Sequence, residues 1–339
     1  MQRQQATAIA PANIAFIKYW GMRDTRYTLP YNGSISMNLD ACLTTTTVTF
    51  DPDLRDDDVM LTLYGQTQQR AADRQLERVV THLDRLRDLA GLDWRARVES
   101  ANNFPSDAGI ASSAAAFAAL TLAGVAALGL NIDERRLSIL ARRSGSGSAS
   151  RSIPTGYVEW RIPGEPFEPS IWDIESYAVS LAPPEHWALS DVVAVVEPGA
   201  KKIGSAENHL LAATSAYFPT RLAELPARLD QVRQAIARRD LEQLGEAMEA
   251  DAVSMHAVCM TSQPPSFYWN GGTMDVIHAV RNWRAAGLQS YFTIDAGPNV
   301  HVICAATDRA EVARRLEELP SVQFTIGNDV GKGAWVGER

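Results

Sequence analysis

The stretch DAGIASSAAAFAAL, residues 107–120, joins a small-residue turn to an alanine-rich run. Glycine lets a backbone come close to a ligand, and the first amide N–H groups of a helix have no partner inside it. Such an end favours an anion. Ser112 and Ser113 add two hydroxyl donors, and the alanines behind them supply helix propensity and a thin packing flank. Phosphate is the guest this chemistry suits; the alternative is an ordinary capped helix with a small-residue face. Two other stretches place polar groups beside glycine. RRSGSGSASRS, residues 142–152, reads either as a flexible linker or as a loop lining a site, because it holds Arg151 and a strand pattern follows it. In YFTIDAGPN, Asp295 stands before Ala-Gly-Pro, which by itself is most simply a turn.

These groups need a frame, and 339 residues is long for one core; two lobes of about 150 to 190 residues are expected. A hydrophobic content of 46% is ordinary for a soluble protein. The longest apolar run, 114–127, is dominated by alanine and interrupted by Thr121 and Gly124, so no membrane span is expected. The start, MQRQQATAIAPANIAF, lacks the charged and apolar regions of a signal peptide, and the cytoplasm is the expected compartment. Cys42, Cys259 and Cys304 are odd in number and far apart, which argues for buried thiols rather than disulfides or a zinc site. The six histidines form no HExxH pair, and a net charge of −8 disfavours nucleic acid as a partner.

Along the chain, ATAIAPANIAFI and CLTTTTVTFD read as strands, with an Asn-Gly turn signal in YNGSIS between them. Leu76, Val79, Val80, Leu83, Leu86 and Leu89 recur at helical spacing over 71–92. DWRARVESANNF returns as a strand; helices are expected from Ser112 and over 133–143; TGYVEWRI is a strand and IPGEPFEPSIWD a surface excursion. WALSDVVAVVEP reads as a buried strand, and the boundary between lobes falls near 181–184, giving units 1–183 and 184–339. The second unit predicts helices near 207–217, 222–238 and 241–259, a strand, turn and strand in GLQSYFTIDAGPNVHVICA, and a last helix over 309–319 before a short strand. The pattern is α+β, without internal repeats.

Four motifs, NIAFIKYWGMRD, NNFPSDAGIASSAA, SGSGSASRS and YFTIDAGPN, together resemble the diphosphomevalonate decarboxylase family of the GHMP kinase superfamily, in the family's order from residue 13 to 299. The resemblance implies a two-lobed α+β GHMP kinase fold, with an N-terminal ribosomal-protein-S5-like β/α lobe, a C-terminal ferredoxin-like lobe and the site in the cleft between. It implies ATP and Mg2+ as cofactors, a 5-phosphorylated mevalonate as substrate and a homodimer. The activity implied is phosphorylation of the tertiary 3-hydroxyl followed by loss of phosphate and CO2 to give an isopentenyl product.

By the same resemblance, Asn103, Pro105, Gly109, Ser112 and Ser113 belong to the ATP site, Ser112 and Ser113 contacting phosphate oxygens or magnesium; Asn102 and Asn103 either touch nucleotide or close a turn. Asp295, Lys18 and Arg151 are the implied catalytic set. A carboxylate there accepts the alcohol proton or holds the alcohol in line, lysine stabilises charge and keeps Asp295 deprotonated, and the arginine fork grips the substrate carboxylate. Asn13, Tyr19, Ser146, Ser148 and Arg151 are the implied substrate contacts, with core packing the simpler reading for Trp20. This chain departs from the family's usual KYWGKRD in having Met22, and KKIGSAENHLL brings Glu207 and His209 to a segment near the diphosphate, with Lys201 and Lys202 able to compensate only if they turn inward. A weakened distal-phosphate site leans the substrate toward mevalonate 5-phosphate, yielding isopentenyl phosphate. The alternative is mevalonate 5-diphosphate, and a 3-kinase without decarboxylation is a weaker one. A sugar or homoserine kinase would not carry KYWG and SGSASRS, and a noncatalytic nucleotide binder would not need Asp295.

Overall fold

The computed structural model describes residues 3–105, 110, 112–197 and 205–337. In chain order its elements are β1 (Gln4–Ile17), β2 (Met22–Asp24), β3 (Leu29–Pro30), β4 (Ser34–Asp51), β5 (Asp58–Thr62), β6 (Gln69–Arg70), α1 (Asp73–Ala90), β7 (Arg95–Asn102), α2 (Ser112–Ala127), α3 (Glu134–Arg143), β8 (Tyr157–Arg161), α4 (Pro169–Glu175) and β9 (Tyr177–Ala182). They continue as β10 (Leu189–Val195), α5 (Ser205–Leu211), α6 (Phe218–Arg238), α7 (Leu241–Thr261), α8 (Gly271–Ala285), β11 (Ser290–Thr293), β12 (Val300–Ala305), α9 (Arg309–Glu317), β13 (Phe324–Asp329) and β14 (Trp335–Val336).

The expected first strands pair with each other: β1 and β4 run antiparallel from Gln4↔Phe50 to Ile17↔Ile35, with a register break between Pro11 and Asn13. Proline cannot supply the ladder N–H, so a break beside it is its natural place. Beyond the break β4 changes partner, pairing with β8 over Ser34–Met37 and with β7 over Thr44–Asp51. The large sheet thus forks where Asn13 and Ser36 sit. The Asn-Gly of YNGSIS makes no hairpin between β1 and β4; the hairpin is β2 and β3, and Gly33 lies directly before β4. The Asn32 amide is buried and donates to the Lys18 and Gly33 carbonyls, so that asparagine fixes a chain crossing instead.

Helix α1 places Leu83 and Leu86 against Phe117, Ala119 and Ala123 of α2 and the apolar face of β4 and β7, as its helical spacing requires. The alanines of α2 let it lie close along β1 and β4. In the smaller sheet, ordered β11-β12-β10-β13 and wholly antiparallel, every residue of β10 is buried. Alternation explains this: Val192 and Ala194 face α8 and α9, whereas Val193 and Val195 face α6 and α7. The cluster holding Val193 and Val195 also contains Phe16, Ile35 and Met37 of the large sheet, so one apolar core is shared by both sheets.

The chain leaves the large sheet at Ala182 and enters the small one at Leu189, but β14 returns to pair with β1 and Val330 bridges to Leu39. The C-terminal segment therefore completes the sheet built by the N-terminal half. The helix expected over 207–217 ends at Leu211, a 3-10 turn follows, and α6 starts at Phe218 with Pro219 in its first turn, where no amide donor is needed. Helix α8 was not among the expected elements; Asn270 and Thr273 close a capping box at its start. Among the described residues no helix is long and apolar enough to cross a membrane, and the three cysteines are buried and unpaired.

Candidate active site

Lys18 follows the last residue of β1, and Asp295 follows β11, each at a strand end that opens on the junction of the two sheets. Their side chains meet: Lys18 Nζ is 2.5 Å from Asp295 Oδ1, with the lysine buried and 23% of the aspartate side chain still exposed. The Lys18 main chain is fixed at both ends. Its N–H donates to Asp251 Oδ2 at 2.7 Å, and its carbonyl accepts from Arg221 Nη2 and Asn32 Nδ2. Asp251 of α7 and Arg221 of α6 form a wholly buried ion pair at 2.9 Å. The second lobe therefore holds the first lobe's lysine by its backbone and meets it with a carboxylate.

Burial opposes charge on Asp295, but Lys18, His301 and Arg151 outweigh it and hold the carboxyl below its usual range. Burial dominates at Lys18 and lowers its ammonium from the usual value against the pull of Asp295 and Asp251. His301 lies behind this pair; burial works against its charge, yet Asp191 at 2.8 Å and the nearby Asp295 raise its pKa. The result is an ionised carboxylate facing the cleft with cationic support behind it.

Residues 142–152 are no linker: Gly147–Ser152 form a buried 3-10 turn beside β1 and β8. Arg151 lies within it, buried, with Nε donating to Asn13 Oδ1 and Ser36 Oγ at 3.1 Å, Nη1 to Ser34 Oγ at 2.5 Å and Nη2 to Asn13 Oδ1 at 3.0 Å. Asn13 is itself oriented by Ser152 Oγ at 2.8 Å and by the Ser148 carbonyl. These contacts use one N–H of each terminal nitrogen of a five-donor fork, leaving one on each for a carboxylate. Gly147 is required here by space: a Cβ would lie 2.9 Å from the Tyr19 ring and 2.7 Å from that of Trp160.

Tyr19 is pressed between Gly147 and Trp160 on one side and His209 on the other, its ring stacked on the imidazole at 4.1 Å. Its hydroxyl is buried without a hydrogen-bond partner among the described residues, and burial raises its pKa despite Arg151 and Arg142 nearby. Trp20 packs with Phe218, Met255 and Tyr268, as the packing reading expects. Gly21 adopts φ +90, a left-handed conformation suited to glycine, and its N–H donates to His209 Nδ1 at 3.1 Å. Met22 opens β2, half-buried. Glu207 does not enter the cleft; it pairs outward with Arg74 at 2.7 Å, both side chains more than half exposed. That orientation removes the repulsion expected of it. Lys201 and Lys202 lie outside the described residues.

At the nucleotide end, α2 begins at Ser112, and the Ser113 hydroxyl stands 3.2 Å from that of Ser146, which joins the two serine motifs. Pro105 is buried directly after Asn103 and Phe104, and Gly109 lies outside the described residues. Asn103 donates to the Ala41 carbonyl and accepts from the Leu43 N–H, so its amide closes the turn against β4, one of the two readings held open for it. The exposed Ser113 hydroxyl at the start of a 16-residue helix, facing a second hydroxyl, fits a magnesium-bound triphosphate.

Asp251, Arg221, Asn32 and the Asp191–His301 pair were missed from sequence. A carboxylate within the apolar stretch EADAVSMHAV was the available signal for Asp251; nothing local marks Asn32 or His301, whose partners are distant in the chain.

The first part of the chain, residues 10–170, matches the family model for the diphosphomevalonate decarboxylase-like N-terminal domain, and residues 191–330 match that for the mevalonate 5-diphosphate decarboxylase C-terminal domain. The diphosphomevalonate decarboxylase of Candida albicans is 37% identical over 87% of this chain and 82% of its own length. The human enzyme of that name is 35% identical over 86% and 75%. Among solved structures, a complex described as MDDEF with MVAPP, AMPPCP and magnesium superposes with a TM-score of 0.90 at 36% identity, covering all of both chains. The mevalonate diphosphate decarboxylase from Staphylococcus aureus does so at 0.89 and 34%, over 99% of each chain. With two family models in order along the chain and relatives above one-third identity over most of it, the chain belongs to the diphosphomevalonate decarboxylase family, and its two-sheet α+β architecture is that family's two-lobed fold.

Proposed function

We propose that this chain catalyses the ATP- and magnesium-dependent decarboxylation of a 5-phosphorylated mevalonate to an isopentenyl product, with release of ADP, phosphate and CO2. The observation that carries this reading is the Lys18–Asp295 contact, open to the cleft on its carboxylate side and adjacent to Arg151. Asp295, held ionised, accepts the proton of the tertiary 3-hydroxyl. Lys18 stabilises the negative charge that develops at that oxygen, and the unused N–H groups of Arg151 hold the substrate carboxylate in place, unprotonated, as CO2 departs. Bound ATP supplies the phosphoryl group that makes the hydroxyl a leaving group. Ser112 and Ser113 hold its phosphates and magnesium, and Ser146, Ser148 and Tyr19 contact the substrate.

The printed names of the relatives support mevalonate 5-diphosphate as the substrate, giving isopentenyl diphosphate. A second reading, mevalonate 5-phosphate giving isopentenyl phosphate, is favoured by one feature of this chain: Met22 stands where the family's usual motif has a lysine, so a donor for the distal phosphate is missing. Both readings use the same reacting end. The resemblance further supports a homodimer, and the sequence pattern supports the cytoplasm and lobes divided near residue 183; light scattering during size-exclusion chromatography tests the dimer. For the reaction, purified protein with ATP and magnesium is offered each substrate in parallel while ADP and CO2 are recorded. Matched ADP and CO2 with either substrate supports the proposal, and ADP without CO2 from both overturns it in favour of a 3-kinase.

A further inference from the structure

We propose that His209 is a specificity-determining residue that discriminates between one and two phosphates on the substrate's tail, disfavouring the second. The inference rests on the reading of the substrate as a 5-phosphorylated mevalonate. The chain after Lys18 leads through Tyr19 and Gly21 into the β2–β3 hairpin, which Met22 opens, and in this proposal the tail of the substrate lies along these residues. Beside Tyr19 the structure collects donors without acceptors. The Tyr19 hydroxyl has no partner, and Arg142, wholly buried in the last turn of α3, binds Asp173 only through Nη2, leaving Nε and Nη1 without partners among the described residues. Buried donors of this kind are rare unless something anionic completes them. They are suited to one phosphate.

What lies beyond them is a wall. The His209 ring covers the face of Tyr19 at 4.1 Å and tilts over Trp20 at 4.5 Å. Its Nδ1 already takes the Gly21 N–H, the main-chain donor nearest the missing lysine. Burial, with Arg151 adding to it, keeps the imidazole pKa down at about 3, so the ring is neutral at physiological pH and carries its proton on Nε2. A second phosphate thus meets a neutral ring beside Tyr19, an N–H already taken at Gly21 and a thioether at Met22. Specificity by blocking one partner requires only such an unfavourable contact with the longer one.

The test compares wild type with His209→Ser, His209→Asn and His209→Phe. For each protein, kcat/KM is measured with both tails at saturating ATP, and Kd of both tails by calorimetry. Serine removes ring and acceptor and is expected to raise the diphosphate-to-monophosphate ratio at least about tenfold, chiefly through KM and Kd of the diphosphate. Asparagine keeps an acceptor for Gly21 while removing the ring and is expected to raise the ratio less; phenylalanine keeps the ring and leaves the ratio near wild type. A ratio unmoved in both the serine and asparagine variants, or both tails weakening together, overturns the proposal and makes His209 a purely structural clamp. If the serine variant fails to fold, the asparagine variant decides. Wild type that releases no CO2 from either tail refutes the decarboxylase reading, while the Kd ratios still judge His209.

Discussion

The two ends of the cleft solve opposite problems. At the reacting end, Lys18 meets Asp295, its backbone N–H is held by the buried Asp251–Arg221 pair, and Arg151 is seated on Asn13, Ser34 and Ser36. At the tail end, Tyr19, Arg142 and Trp20 hold buried polar atoms without partners, and the residue that closes the space is a neutral histidine. The side chains of the first end are held in place by protein partners, with one N–H on each terminal nitrogen of Arg151 kept for a carboxylate, as electrostatic preorganisation demands. The second is incomplete, and an incomplete polar pocket is where a ligand's own charge can discriminate. In the proposed function, Lys18, Asp295 and Arg151 set the chemistry, and the groups around Tyr19 and His209 select the tail.

Substitutions should separate the two ends. Arg151→Gln keeps a planar donor but loses the fork, and kcat/KM is expected to fall about 10²–10³-fold for both tails alike, with the KM for ATP little changed; a tail-dependent loss in steady-state kinetics would break the division. Asp251→Asn leaves Arg221 buried without its partner and loosens Lys18. A loss of about 3–5 kcal/mol is expected, read by chemical denaturation.

The pH response is smaller and has a definite sign. Because burial lowers the Lys18 ammonium from its usual 10.5, the alkaline limb of kcat/KM should lie below that of an ordinary lysine. Asp295 is held below 3.8, so it contributes no acid limb above the ordinary carboxylate range. The stability its charge contributes is present above 3.8 and is lost as pH falls through its lower folded value. A pH–rate profile with an acid limb abolished in Asp295→Asn would contradict this. Smallest of all is Glu207→Gln: the side chain faces Arg74 and solvent, so the selectivity between tails and the thermal midpoint should both stay as in wild type.

Sequence reading carried furthest where a pattern is local. The buried strand β10, the helical spacing of α1 and the helix expected over 133–143, which is α3, each follow from neighbours a few residues apart. The four motifs, through the family resemblance, likewise grouped Lys18, Asn13, Arg151 and Asp295; Lys18 and Asp295 stand just past strand ends, Arg151 in a 3-10 turn and Asn13 beside the register break of β1. What stayed hidden depends on distant partners. Asp251 meets a lysine backbone 233 positions away, Asn32 looks like a hairpin turn until it is seen to hold the Lys18 carbonyl, and the direction of Glu207 is decided by Arg74, 133 positions before it. Helix α8 escaped because its start, Asn-Gly-Gly, reads as a loop, although Asn270 is its cap.

In the proposed function the Asp295 carboxylate, paired with Lys18, performs the proton transfer on which phosphorylation, and through it decarboxylation, depends. Turnover and substrate affinity of Asp295→Asn, measured side by side with wild type, test it most directly. ADP and CO2 formation are expected to fall together by about 10³-fold or more, while Kd for the 5-phosphorylated substrate is largely kept. Turnover surviving within about tenfold of wild type would contradict it.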